Sequence, residues 1–238
     1  MKLKRNGPSR RGSAETTVIV EGSREDRLLD ALRDLMVERD SLDVTLGEVA
    51  ARAGVNHGLV GYYFGSKEGM FVALMLRHAA GTPRQLNALM RSSMSPVEKM
   101  RVHIAGVVRS YEECPILGIL LDHILNTGSR EAVAQVDEIV VTPMLRFYEA
   151  ILDEGVQSGD FVKMDAMFLH MIVIGACTAL YTNRPRLKVG YGISQITPTF
   201  QRRYLEYVTD FILRAMRKSD SVSIAAVPDK RAISAASR

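Results

Sequence analysis

The 238-residue chain is predicted to be all-α, a small three-helix unit followed by a larger helical domain. Three observations carry that prediction. Apolar residues recur at three- and four-residue intervals almost throughout, the spacing of one helix face. No run alternates apolar and polar residues in a strand meander, and no internal repeat is visible. Helix starts are marked by Ser or Thr followed three residues later by an acid, as at Ser23, Thr45 and Ser95; such pairs satisfy backbone donors that have no partner inside the helix.

Composition narrows the class further. A hydrophobic fraction of 47% supports a real core and excludes collagen-like and wholly disordered chains. Cys114 and Cys177 are too few for a disulfide framework, and neither sits in a metal-ligand pattern. The five histidines are scattered, so no metal and no cofactor is expected. Val18-Ile19-Val20 is too short for a signal peptide. The apolar run from Ala166 to Tyr181 falls short of the roughly 20 residues that a bilayer requires. A cytoplasmic protein without a membrane partner is expected.

Residues 1–22 hold Lys2, Lys4, Arg5, Arg10 and Arg11 among Gly, Pro and Ser, and read as a flexible basic arm suited to phosphate or minor-groove contacts. The first helix starts at Ser23, carries Leu28, Leu32, Leu35 and Met36 on one face, and ends at Asp40-Ser41. Thr45 and Glu48 form a capping box for a short second helix that stops at Gly54, where a left-handed residue is expected. Asn56 caps a third helix, His57 to Phe64. Ala53-Gly54-Val55-Asn56 therefore joins two short helices as a helix-turn-helix, a unit that places its second helix in the major groove. Ser66 caps a helix running toward Met90, kinked or broken near Gly81-Thr82-Pro83. Ser95-Pro96-Val97-Glu98 opens a helix to about Glu113. Pro115 opens another that ends near Gly128. Ser129 starts a long helix to about Gln157, broken by Ser158-Gly159-Asp160. Asp165 starts the apolar helix to Tyr181, which Asn183-Arg184-Pro185 stops. Residues 184–197 read as a loop, Pro198 to Lys218 as the last helix, and 219–238 as a disordered tail. The count is about nine helices.

From Thr45 to Phe71 the sequence resembles the DNA-binding domain of the TetR family of transcriptional regulators. The specific features are the Ala53-Gly54-Val55 turn, the Tyr63-Phe64 pair closing the third helix, and Ser66-Lys67-Glu68 opening the fourth. The resemblance covers residues 23–75. It departs at Gly61, where the family commonly has Tyr; this removes a phosphate contact and weakens the helix by up to about 1 kcal/mol. The expected fold is then a helix-turn-helix DNA-binding domain over 23–68, joined to a helical ligand-binding and dimerisation domain over 69–218.

Residue roles follow from chemistry and resemblance together. Val49, Ala53, Val55, Val60 and Phe64 have the spacing of a miniature core. His57, Gly58 and Leu59 begin the recognition helix: His57 can donate or accept at a base, Gly58 allows close approach, and Leu59 can meet a thymine methyl. By resemblance, Tyr62, Tyr63 or both bring a hydroxyl to phosphate. Lys67 and Thr45 sit at helix starts that offer N–H groups to the DNA backbone, and Asn56 completes the candidate DNA-binding set. Residues 1–65 hold ten Lys and Arg against ten Asp and Glu, so this unit is not basic as a whole.

In the larger domain, Met90, Met94, Met100, Met144, Met164, Met167 and Met171 supply adaptable apolar side chains. The resemblance implies an effector pocket here. Its candidate lining is Met100, His103, Val107, Tyr111, Leu121, Phe147, Met167, His170 and Met171. The two last helices are the expected homodimer surface. No catalytic constellation or phosphate loop is visible. The expected function is a repressor that binds double-stranded DNA at a palindromic operator and is released by a small, bulky apolar effector. The alternatives are an all-α enzyme and a constitutive DNA-binding regulator.

Overall fold

The computed structural model describes residues 23–217; the expected basic arm over 1–22 and the tail over 219–238 lie outside them. Among the described residues there are twelve α-helices, one π-helical turn and no strand.

Helix α1 (Arg24–Arg39) begins with the predicted capping box: the Ser23 hydroxyl accepts the Asp26 N–H at 3.0 Å and Asp26 accepts the Ser23 N–H. Leu28, Leu32, Leu35 and Met36 are all buried on its inner face. Helices α2 (Leu46–Ala53) and α3 (Gly58–Phe64) follow, then α4 (Lys67–Ala79) and α5 (Thr82–Arg91). The single helix expected from Ser66 toward Met90 is thus two, with Pro83 in the first turn of the second. Helix α6 (Pro96–Glu113) carries the Ser95–Glu98 capping box, and α7 (Leu117–Thr127) follows.

The long helix expected from Ser129 is also divided. Helix α8 (Arg130–Val136) passes through a π turn, Asp137–Val141, into α9 (Thr142–Ser158). Pro143 has no N–H to continue an α-helical ladder. The Thr142 N–H bonds back to the Asp137 carbonyl, the wide spacing of a π turn. Helix α10 (Ala166–Thr182) is capped by Asp165. The expected loop over 184–197 needs correction: residues Arg184–Tyr191 form α11, which leaves α10 at 67°. Pro185 ends one helix and starts the next, since proline is tolerated in a first turn. Helix α12 (Pro198–Met216) completes the fold.

Two hydrophobic cores organise these helices. The first joins α1–α4 to Cys114, Ile116, Leu120, Ile124, Ala132 and Val136, so the core of the three-helix unit runs on into α7 and α8. The second is made by α5, α6, α9, α10 and α12. Tyr111 packs against both. At the far end of the second core Lys99 is buried, its ammonium 2.7 Å from Glu154 and 2.9 Å from the Met90 carbonyl, which compensates its lost hydration. No single helix among the described residues is long and apolar enough to cross a membrane.

Candidate nucleic-acid interface and ligand cavity

The helix-turn-helix is held from inside by small apolar residues. Val49 and Val60 are fully buried, with Ala53, Val55 and Phe64 packed against them. The corner is made by Gly54 at φ +65°, a left-handed conformation that glycine adopts without a Cβ clash. The next corner relies on Gly69: a Cβ there would overlap the Phe64 carbonyl, so only glycine lets α4 pass so close to the end of α3.

The candidate DNA-facing residues fall into two groups. His57, Gly58 and Tyr62 are exposed on one outer surface, with Tyr62 at 81% exposure. Tyr63 is 38% exposed, its ring edge-on to that of Tyr62 at 5.2 Å. A Cβ at Gly47 would lie 3.8 Å from the His57 ring, so the start of α2 and the start of α3 are neighbours. The second group is engaged within the chain. The Thr45 hydroxyl donates to Glu48 at 2.8 Å and accepts the Glu48 N–H. The Asn56 amide oxygen accepts the Gly58 N–H at 2.8 Å, which leaves its NH2 outward. Helix α3 therefore begins at Gly58, with Asn56 closing the turn ahead of it. Leu59 is half-buried. The Lys67 ammonium lies 5.3 Å from the centre of the Phe71 ring.

Ion pairs brace this unit from behind. Arg39 bridges Glu48 at 2.6 Å and Arg52 bridges Glu38 at 2.8 Å, tying α1 to α2 twice. The Arg39 guanidinium, with the Thr45 backbone and hydroxyl, holds the Glu48 carboxyl down at about 2. These pairs engage two of the unit's arginines with carboxylates.

A cavity of about 140 Å³ opens at the seam between the two cores. Helix α4 supplies Met75, His78 and Ala79 to its wall; α6 supplies Val107, Ser110 and Tyr111. Leu117 and Leu121 of α7, Val140 and Val141 of the π turn, and Met144, His170 and Ile174 close it, with Thr82 at the start of α5. Of the nine residues expected to line a pocket, the structure brings Val107, Tyr111, Leu121 and His170 here. The other five lie elsewhere. Met100 is fully buried inside the second core. His103 and Phe147 border only outer grooves beside α5. The His103 Nε2 is 2.8 Å from the Tyr148 hydroxyl, and burial pushes its pKa down to about 3, the signature of a neutral core histidine. Met167 and Met171 face outward, 52% and 67% exposed.

Helical periodicity did not single out Met75, His78 or Leu117. His78 is the informative one: its Nε2 is buried and has no hydrogen-bond partner among the described residues. Burial first, then Arg77 and Arg33, lowers its pKa. Burial also raises the thiols of Cys114 and Cys177, to about 11 and about 12, which disfavours the reactive thiolate. No group of three His, Cys, Asp or Glu among the described residues is placed to hold a metal ion.

Two family models match the chain: "Bacterial regulatory proteins, tetR family" over residues 28–74, and "Tetracyclin repressor-like, C-terminal domain" over residues 93–220. The chain is similar to the HTH-type transcriptional regulator BetI of Brucella canis, 35% identical over 86 residues. That match covers 36% of this chain and 43% of the relative, so it spans under half of the curated protein. Among solved structures, a tetR-family regulatory protein from Rhodococcus RHA1 superposes with a TM-score of 0.67 at 15% identity, covering 84% of this chain and all of the other. The regulator FadR from Bacillus subtilis, in complex with stearoyl-CoA, gives 0.62 at 18% identity over 81% of this chain and 99% of that one. At these identities the two structures share the fold.

Proposed function

Since the chain belongs to the TetR family of bacterial regulatory proteins, we propose that it is a homodimeric, ligand-responsive repressor released from its operator by a small apolar molecule. The observation that carries this reading is the position of α4. Its first turn adjoins the recognition helix through Gly65 and Ser66, and its last turn forms one wall of the seam cavity. An occupant that pushes Met75, His78 and Ala79 outward tilts one rigid helix, and the tilt moves α3. The Glu68 carboxylate accepts the Ser129 N–H at 2.6 Å, so the start of α4 is also tied to α8. A ligand that fits only one tilt of α4 shifts the balance between two arrangements of the recognition helices.

The DNA contacts are assigned by chemistry and accessibility. Helix α3 enters the major groove with His57 at a base edge, Gly58 allowing close approach and Tyr62 reaching a phosphate. Tyr63, Lys67, Thr45, Asn56 and Leu59 stand at its border, with Thr45 and Lys67 at the helix starts that face the DNA backbone. The unit lacks net positive charge, so affinity rests on these local contacts and on two copies acting together. Two recognition helices related by a two-fold axis read a near-palindromic site with half-sites about one helical turn apart. The dimer surface is the outward side of α10 and α12, where Met167, Phe168, Met171, Ile172, Tyr207 and Phe211 stay exposed on the single chain. The reading is of a regulator and not of an enzyme, as for the curated relatives that the chain resembles.

A gel shift with the DNA upstream of its own gene tests the proposal. A specific, salt-sensitive complex is expected; equal affinity for unrelated DNA would overturn it.

A further inference from the structure

We infer that the effector is an uncharged, ring-sized molecule bearing one hydroxyl or carbonyl, and that His78 is the residue that recognises that group. The inference rests on the effector-release reading above and adds the ligand's chemical class to it.

Size comes first. A dry cavity of about 150 Å³ accommodates benzene, and the seam cavity measures about 140 Å³. One ring with a small substituent is of that size, and a longer ligand would have to reach out through the open side of the cavity. The stearoyl-CoA held by the Bacillus subtilis neighbour is far larger, so the shared fold does not carry that ligand over to this chain.

Charge is the second filter. Among the described residues, the wall contains no Lys, Arg, Asp or Glu. Moving an ionised group from water into such a site is costly when no opposite charge meets it. Carboxylates, phosphates and ammonium groups are disfavoured on this ground.

The polar contact is the third. The Ser110 hydroxyl already donates to the Gly106 carbonyl at 3.1 Å. Thr82, Tyr111 and His170 also stand in the wall, but His78 differs, because its Nε2 is buried with no partner among the described residues. A hydrogen bond offered there recovers a cost that folding has already incurred. No hydrogen bond among the described residues holds its Nε2, and the torsion about its Cβ–Cγ bond is soft. His78 lines the cavity, so a turn of the ring is the movement by which Nε2 would meet a ligand there. A neutral imidazole nitrogen pairs with a hydroxyl in either tautomer, and with a carbonyl when it carries the proton. His78 also stands in the last turn of α4, so the group it grips is attached directly to the helix that leads to the DNA.

The test uses the full chain and four probes: toluene, phenol, benzoate at pH 8 and stearoyl-CoA. Binding is measured by calorimetry and operator release by gel shift. Toluene and phenol are expected to bind, phenol about tenfold more tightly, with benzoate and stearoyl-CoA much weaker. In His78→Leu the preference for phenol over toluene should vanish, while retained toluene binding certifies an intact cavity. His78→Gln should restore part of the preference. Tighter binding of benzoate or stearoyl-CoA than of phenol overturns the inference, as does a phenol preference unchanged in His78→Leu. Phenol binding through His78 without operator release supports the recognition but defeats the effector reading. Release by a large or charged molecule, with no ring-sized probe bound, upholds the effector reading and defeats this inference.

Discussion

His57 and Tyr62 stand on the open side of α3 with no partner side chain among the hydrogen bonds of the described residues. Replacing both by alanine should therefore abolish specific operator binding and leave the thermal unfolding curve in place. Undiminished binding in the gel shift would mean that another surface reads the DNA. Glu48 supports a prediction of the opposite kind. Its carboxyl is held at about 2, below the usual 4.5, by the Arg39 hydrogen bond first and the Thr45 groups next. A folded-state value below the unfolded one stabilises fully above about 4.5, and that contribution disappears as the pH falls toward about 2. The melting temperature of the native chain should exceed that of Glu48→Gln at pH 7, and the gap should close between pH 4.5 and 2. A gap independent of pH would show that the Arg39–Glu48 bridge does not couple to folding. At this scale the sequence was legible wherever the partner is local. Ser23–Asp26, Thr45–Glu48 and Ser95–Glu98 are three residues apart and could be paired from spacing alone. His78 could not be found that way, because periodicity tells which face turns inward but not which inward group lacks a partner.

Among the elements, α3 and its corners show where glycine weakens and where it is required. Gly61 sits in the middle of α3, and a Cβ there meets nothing within 4 Å. Gly61→Ala should raise stability by up to about 1 kcal/mol through helix propensity. Gly69→Ala should cost about 1–3 kcal/mol, because its Cβ must displace the Phe64 carbonyl and open the α3–α4 corner. Chemical denaturation of the two variants checks both signs, and equal effects would remove the distinction drawn between them. Element starts were read well from their caps, and element ends less well. In sequence Pro185 reads as a stop, yet a proline that ends one helix is equally suited to the first turn of the next, and α11 begins there. Pro143 gave no warning of a break, since a proline is tolerated in the first turn of a helix, where α9 places it. The π turn ahead of it contributes Val140 and Val141 to the cavity wall, so an irregularity hidden from periodicity helps shape the candidate site.

At the level of the whole molecule, the uneven burial of α10 is what supports the proposed homodimer. A helix apolar nearly all round must be covered on every side, yet the described residues cover the side bearing Leu169, Val173, Cys177, Thr178, Leu180 and Tyr181 and leave the other open. The exposed side presents Met167, Phe168, Met171 and Ile172, then Gly175, a position small enough to let another helix approach closely. Helix α12 adds Tyr207 and Phe211 from the next turn-faces of a helix otherwise polar on its outside. Sequence alone could not orient α10, because no charged residue marks which side meets solvent; Met167 and Met171 therefore fitted a pocket and a dimer face equally well. A charge in the middle of the proposed face should discriminate. Met171→Asp and Phe211→Asp each place a carboxylate twice across a two-fold interface, where like charges meet and neither has a partner. Sedimentation should show a monomer in place of a dimer, with the chain still folded, since both side chains lie outside its own core. Operator affinity should fall with it, because a lone recognition helix keeps only one half-site. Dimers of undiminished strength in both variants would place the interface on another face.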